Sequence, residues 1–272
     1  MLNKFYDYIL YIFHKSQGFL LYMFSYLLFL RKDRINVRKR LKDTLFIFGS
    51  GYSINDICKS DWEEIRNIGD TMAFNMFYKS DFIDIDYYIV RELFVRKNYL
   101  SFGAIKQVFH LDKMFQKHKR FQSTYFFCLS DFFSAPSTLW FLLTKLRKRT
   151  LLFTNLFDRK VPLPISEDYK RIPHGSSTLF DCINIGYILG YKEIVLVGVD
   201  LYDSRYFYLA YDQPHQLSLY DSVDVDHPTK NTTLINMELW QKELHKKGVS
   251  LKVYNRRSLL SKFLPVYSLS ED

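Results

Sequence analysis

Arg171 to Tyr202 reads RIPHGSSTLFDCINIGYILGYKEIVLVGVDLY, and this stretch decides the fold. Gly175, Ser176, Ser177 and Thr178 supply caps and close backbone approach, so the helix that follows presents unpaired N–H groups and a positive dipole end to an anion. Ile183, Tyr187 and Ile188 recur at helical spacing, and Gly190 closes the helix. The apolar run from Ile194 to Val199 is continuous, as a parallel strand covered on both faces requires. Asp200 and Tyr202 therefore stand at a strand's carboxyl end, the edge at which open α/β sheets hold their ligands.

Upstream, TLFIF is followed by Gly49-Ser50-Gly51 and then SINDICKSDWEEI, a strand-turn-helix opening of the nucleotide-binding type. Such a Gly-x-Gly turn serves either a ligand or the sterics of a tight connection. Further strands are predicted at Thr71–Phe74, Tyr87–Val90, Gln107–Leu111, Thr124–Cys128, Leu151–Thr154, Ile194–Gly198 and Leu251–Tyr254. With helices between several of them, residues 43–272 read as one α/β domain with a Rossmann-like, doubly wound, mostly parallel sheet. The stretch from Tyr202 to Thr233 is rich in Tyr, Asp, His and Pro and has little periodicity. Its core, about residues 203–233, reads as a lid over the crevice. His227 near its end is placed to act as a general base, with a solvated or capping histidine as the alternative.

Residues 1–42 form a separate unit. Phe5 to Leu30 is dense in Phe, Tyr, Leu and Ile, but Asp7, His14 and Lys15 interrupt it. The uncharged run Gly18 to Leu30 is shorter than the about 20 residues that a spanning helix needs. Followed directly by RKDRINVRKRLK, it reads as a hydrophobic helical segment lying in the plane of an anionic leaflet, on the cytoplasmic side of the inner membrane. A hairpin packed on the domain or on another subunit, in a homo-oligomer, and a tilted span remain open. The net charge of +9 over 272 residues has its basic excess in 31–42 and 142–149, which favours a membrane surface over nucleic acid. Three cysteines without CxxC spacing exclude a disulfide framework and give no zinc site.

Three separated blocks, LFIFGSGYSINDI, LGYKEIVLVGVDLY with its preceding helix, and HPTKNTTLINMELWQKELHKKGVSLKVYNRRSLLSKF, together with Ala73-Phe74-Asn75, resemble the bacterial sialyltransferases of glycosyltransferase family 42. More loosely, they resemble the lipopolysaccharide-core transferases that share that fold. The resemblance covers most of residues 43–263 and implies a GT-A-like variant of the Rossmann fold with a mobile lid. It also implies inverting transfer of sialic acid from a cytidine monophosphate (CMP) donor, with no cofactor and no metal required. Gly49, Ser50, Gly51 and Ser53 match the family's GNGPS turn beside the donor nucleotide, with Ser50 in place of Asn and Tyr52 in place of Pro. Asn75 matches a strand-end Asn contacting the donor. Ser177 and Thr178 match a Thr-Ser donor contact, and Asp200 joins this donor set. Tyr202 and Tyr208 match the two tyrosines that stabilise the departing phosphate, and His227 matches the catalytic base. Arg171-Ile172 resembles the family's Arg-Ile pair, which makes Arg171 an acceptor or carboxylate ligand. Arg91 stands where a second donor-contacting Asn is expected, and the segment around His174 is longer than in the family.

The residue types suit the chemistry. Transfer to a sugar hydroxyl needs a base for the acceptor proton, and His227 supplies one. Donors aimed at the phosphate as charge builds come from Tyr202, Tyr208 and the helix start at Ser177 and Thr178. Asp84-Ile-Asp86 and Asp224-Val-Asp226 have the Asp-x-Asp form of metal-dependent transferases, but read more simply as solvated turns. The expected partners are the CMP-activated donor, a lipopolysaccharide, lipooligosaccharide or capsule glycan, and the membrane surface. A transferase of the lipopolysaccharide core using octulosonate (Kdo) or another nucleotide donor, and a non-catalytic membrane-associated subunit, are the alternatives.

Overall fold

The computed structural model describes residues 41–91, 112–113, 115–116, 118–130, 149–156, 164–168, 172–174, 177–202, 205–209 and 228–269. Residues 1–40, the predicted strand at Gln107–Leu111, Arg171, His227 and most of the predicted lid lie outside them. So do Asp224 and Asp226.

Eight strands form one sheet: β1 (Thr44–Phe48), β2 (Gly69–Phe74), β3 (Tyr87–Val90), β4 (Tyr125–Ser130), β5 (Arg149–Leu156), β6 (Ile172–His174), β7 (Glu193–Val197) and β8 (Ser250–Val253). Their order is β6-β5-β4-β3-β2-β1-β7-β8, and every neighbouring pair is parallel. Both faces are covered, which explains why the strands read as unbroken apolar runs. Leu45 and Ile47 of β1 face a core shared with α2 (Thr178–Ile188) and α3 (Pro228–Lys246), where Trp240 meets Phe180 edge-on at 5.0 Å. Phe46 and Phe48 face the opposite core, with Trp62 and Ile65 of α1 (Lys59–Ile68) and the aromatic cluster of Phe77, Tyr88, Phe115 and Phe121. Each such side chain fully buried contributes about 1.5–3 kcal/mol.

The chain runs from β1 outward to β6 and then returns to place β7 beside β1. Strand order therefore reverses between β1 and β7, and the crevice of a doubly wound sheet opens at the carboxyl ends flanking that reversal. Gly49-Ser50-Gly51 leaves β1 there, and Gly198-Val199-Asp200 leaves β7.

Two local readings of the sequence are corrected. No α-helix starts directly after Gly51; a 3-10 turn at Tyr52–Asp56 comes first, and α1 begins only at Lys59. The Asp200 carboxylate accepts from the Ser53 N–H in the first turn of that 3-10 segment at 3.0 Å, and Ile57 and Cys58 return to extended backbone before α1 begins. Asp86 is not a solvated turn residue. It is buried at the amino end of β3, paired to Arg66 at 2.6 Å and accepting from the Thr71 N–H and hydroxyl at 3.0 Å each. That is the sheet edge opposite the crevice, so this carboxylate holds β2 to β3.

Candidate functional site

The crevice is built by tight contact between the exits of β1 and β7. The Gly49 N–H donates to the Val197 carbonyl and the Gly51 N–H to the Gly198 carbonyl, both at 2.8 Å. A Cβ on Gly51 would stand 2.4 Å from Asp200 Oδ2, and one on Gly198, whose φ is +64°, would stand 2.5 Å from the Ile54 side chain. Steric demand alone thus requires glycine at these positions. Asp200, 3% exposed, accepts from the Ser53 N–H (3.0 Å), the Ser53 hydroxyl (2.5 Å) and the Asn255 amide (3.0 Å). Its carboxylate ties the glycine turn, the end of β7 and the exit of β8 into one unit.

Three further groups of the predicted donor set stand at the exits of β1 and β2 and at the start of α2. Ser50, between the two glycines, is 8% exposed and its hydroxyl has no hydrogen-bond partner among the described residues. A buried hydroxyl left bare at a ligand crevice is a binding group in waiting, because leaving it unsatisfied costs about 1–3 kcal/mol. Asn75, directly after β2, has a φ of 53° and an exposed side chain. Its carbonyl accepts from the Tyr88 hydroxyl at 2.7 Å, and that hydroxyl accepts from the Tyr78 N–H at 3.1 Å, so the turn is held from below while the carboxamide stays exposed. The third is the amino end of α2. Ser177 caps it, its hydroxyl accepting from the Leu179 N–H at 3.2 Å, and Thr178 is the first helical residue. The Ser177 side chain is therefore committed to the helix, and its anion-binding capacity lies in the backbone and in Thr178.

Leu201, next to Asp200, has a φ of 60°, a conformation that costs a non-glycine residue about 1–3 kcal/mol and concentrates at functional sites. It aims Tyr202 outward: the ring is 38% exposed, and its hydroxyl accepts from the Asn255 amide at 3.3 Å. Residues 205–209, at the start of the predicted lid, lie across the glycine turn. Tyr206 forms an antiparallel bridge with Gly51, the Phe207 N–H donates to the Ser50 carbonyl at 3.2 Å, and the buried Phe207 ring sits 5.6 Å from Phe77. Tyr208 stacks on Tyr206 at 5.3 Å, with Lys79 Nζ 4.1 Å from its ring centre. Burial first, then the neighbouring Tyr206 and Tyr78, push the Tyr208 phenol up to about 12. It is a neutral donor throughout the neutral range. Since the folded value lies above the ordinary 10, any stability from this phenol is complete below pH 10 and lost as pH rises toward 12. Absorbance titration at 295 nm is expected to show a tyrosine ionising near pH 12 in the native protein, and Tyr208→Phe should delete that step; an unchanged curve would disprove the assignment.

The described residues bring together Gly49, Ser50, Gly51, Ser53, Asp200 and Tyr202 at the switch point, with Asn75 at the end of the adjoining strand β2 and Tyr208 at the covering segment. Arg171 and His227 lie outside those residues. Sequence reasoning missed Asn255, which holds both Asp200 and Tyr202; its position directly after the β8 strand, beside β7, was the available signal. It also missed that Arg91 and His174 meet. Arg91 Nη1 lies 2.5 Å from His174 Nδ1, which lies 2.7 Å from Asp181 Oδ2 in the first turn of α2, all three side chains being buried. Among the described residues, no group of three or more His, Cys, Asp or Glu is placed to hold a metal ion, and no helix is long and apolar enough to cross a membrane.

No family model matches the chain, and no curated protein does. Among solved structures it is similar to the monofunctional alpha-2,3-sialyltransferase Cst-I of Campylobacter jejuni, with a TM-score of 0.53 and 16% identity over 89% of this chain and 86% of that one. It also matches the sialyltransferase CstII of the same organism in complex with the substrate analogue CMP-3FNeuAc, with a TM-score of 0.44 and 16% identity over 83% and 86% of the two chains. The likeness to Cst-I establishes a shared fold, a parallel α/β sheet with flanking helices.

Proposed function

We propose that this protein is an inverting glycosyltransferase that moves an acidic sugar, sialic acid, from a CMP-activated donor to a lipopolysaccharide, lipooligosaccharide or capsule glycan. The observation that carries the reading is the bare, buried Ser50 hydroxyl at the switch point of a sheet sharing the Cst-I fold, flanked by the exposed Asn75 carboxamide. Ser50 and Asn75 hold the nucleotide and its ribose-phosphate, and the α2 amino end at Thr178 takes the phosphate charge. Gly49, Gly51, Ser53 and Asp200 serve the donor indirectly by fixing the turn. His227, the residue before α3, takes the proton of the acceptor hydroxyl as that oxygen attacks the anomeric carbon from the face opposite the phosphate. The bond to the phosphate oxygen breaks, and Tyr202 and Tyr208 donate to the departing CMP. Arg171 holds a carboxylate of donor or acceptor. A monophosphate leaving group carries less charge than a diphosphate, so these neutral donors suffice without a metal.

The placement of Arg91 favours a second reading, a transferase of the same fold that uses another nucleotide-sugar donor. Where the family places a donor-contacting Asn, this chain has a guanidinium turned into a buried cluster with His174 and Asp181. Thermal stabilisation separates the readings. CMP at a hundred times its dissociation constant is expected to add about 2.7 kcal/mol, and hence about 5–10 °C, without magnesium. A shift seen only with uridine or guanosine diphosphate plus magnesium would overturn the CMP reading.

Residues 1–42 are proposed to hold the catalytic domain to the cytoplasmic face of the inner membrane. Flotation with anionic lipid vesicles, compared with zwitterionic ones, tests this.

A further inference from the structure

A cavity of about 470 Å³ opens beside the crevice, lined by Tyr78, Lys79, Ser80, Asp81, His118 and Arg120. It lies at the far end of the same five-residue 3-10 turn, Asn75–Lys79, that starts with the candidate donor contact. Two of its lining residues carry buried polar atoms without partners among the described residues, the Ser80 hydroxyl and Arg120 Nε, and Ser80 is only 3% exposed. Arg120 is fixed rather than floppy: one terminal nitrogen donates to the Tyr78 carbonyl at 2.5 Å, and the guanidinium lies 4.6 Å from the centre of the Phe121 ring. Desolvation lowers its pKa, while Asp81 and Asp84 favour its charge from a distance, and among the described residues no carboxylate forms an ion pair with it. Lys79 and His118 are exposed at the rim, and Asp81 is the one carboxylate in the lining. Burial raises the Tyr78 phenol, so it stays a neutral donor.

A partly desolvated guanidinium, a bare hydroxyl and a neighbouring ammonium present donors where an oxyanion fits, and charge-assisted bonds to such a group are among the strongest available to a protein. We infer that this cavity is a second anion site, distinct from the donor phosphate site, which holds a carboxylate or phosphate substituent of the acceptor through Arg120, Ser80 and Lys79. Identifying the ligand with the acceptor rests on the transferase reading. Lys79 joins the two places, since its ammonium lies over the Tyr208 ring at the edge of the lid. An acidic acceptor seated here would lie alongside the residues that receive the leaving phosphate.

The test is calorimetric titration of the full chain with inorganic phosphate and, separately, with glucuronate, each with saturating CMP present so that the donor phosphate site is filled. Saturable binding of one probe is expected, phosphate pointing to a phosphorylated acceptor and glucuronate to a carboxylated one. Arg120→Gln should weaken it at least tenfold and Lys79→Gln severalfold, with CMP affinity within twofold of the parent. Lys79 is exposed, so its variant carries the test even where Arg120→Gln unfolds. Absence of saturable binding by both probes, or unchanged binding in both variants, would overturn the site. Failure of CMP to bind while a probe still binds in an Arg120-dependent way would instead sink the transferase reading and leave the anion site standing.

Discussion

Replacing His227 with alanine is expected to lower transfer by about 100- to 10,000-fold, the range that positioned acid–base catalysis supplies, while CMP binding survives. The separation of effects follows from where the groups come from. The groups proposed to hold the donor belong to the exits of β1 and β2 and to the start of α2, whereas His227, the proposed base, precedes α3 in sequence. Loss of the base leaves the donor's contacts in place and removes only the acceptor's proton sink. Transfer from CMP-sialic acid into extracted lipooligosaccharide, measured beside CMP thermal stabilisation of the same preparation, reads both quantities. Turnover retained in the variant would strike His227 from the mechanism. Loss of both readouts together would show that the residue supports the fold rather than the chemistry.

The second large effect is on stability. Asp200→Ala removes a buried carboxylate that satisfies the Ser53 N–H, the Ser53 hydroxyl and the Asn255 amide. At about 1–3 kcal/mol for each donor stranded away from water, and with Asn255 half-exposed and able to find solvent, the cost is about 3–5 kcal/mol. For a domain of this size that corresponds to a fall in melting temperature of about 10 °C. Asp200→Asn keeps the shape and one acceptor oxygen but sets an NH2 against the remaining donor, so it should fall between the parent and the alanine variant. Thermal unfolding of the three proteins orders them; an alanine variant melting within 2–3 °C of the parent would show that the glycine turn holds without its anchor.

The parts of the fold legible in the sequence are those whose physics is local. The α2–β7 unit was readable because Ser177 is a helix cap by residue type, Gly190 ends the helix with a φ of 87°, and Ile194 to Val197 is apolar on both faces. The sheet's doubly wound character followed from several such units in series. What escaped was decided at long range. β6 is three residues, one of them Pro173, and has no pattern of its own. The 3-10 turn that precedes α1 is tied through the Ser53 N–H to Asp200, a partner far along the chain. Asp86 is polar and sits in a turn-like sequence, yet Arg66 and Thr71 make it a buried tie. The candidate site divides the same way. The placement of Ser50 and Tyr202 just beyond β1 and β7 was readable because strand ends are predictable. The Asn255 clasp and the Arg91–His174–Asp181 cluster were not, because neither has a sequence spacing: each joins strand exits that only the assembled sheet brings together.

The clasp on Asp200 also sets an order of events at the ribosome. Its members come from the exits of β1, β7 and β8, and the last of them, Asn255, is made long after the glycine turn. A chain still in synthesis can lay β1 beside β2 early, since those strands are neighbours in sequence and in the sheet. The place between β1 and β7 stays unfilled until β7 emerges, and until then the apolar edge of β1 is bare. Such an interval, with a parallel strand waiting for a distant partner, is the period in which a nascent chain is most open to aggregation and to chaperone capture. The half-built sheet has no crevice between β1 and β7 during that time, so the candidate site is assembled late and in one step, when β7 and β8 close on β1.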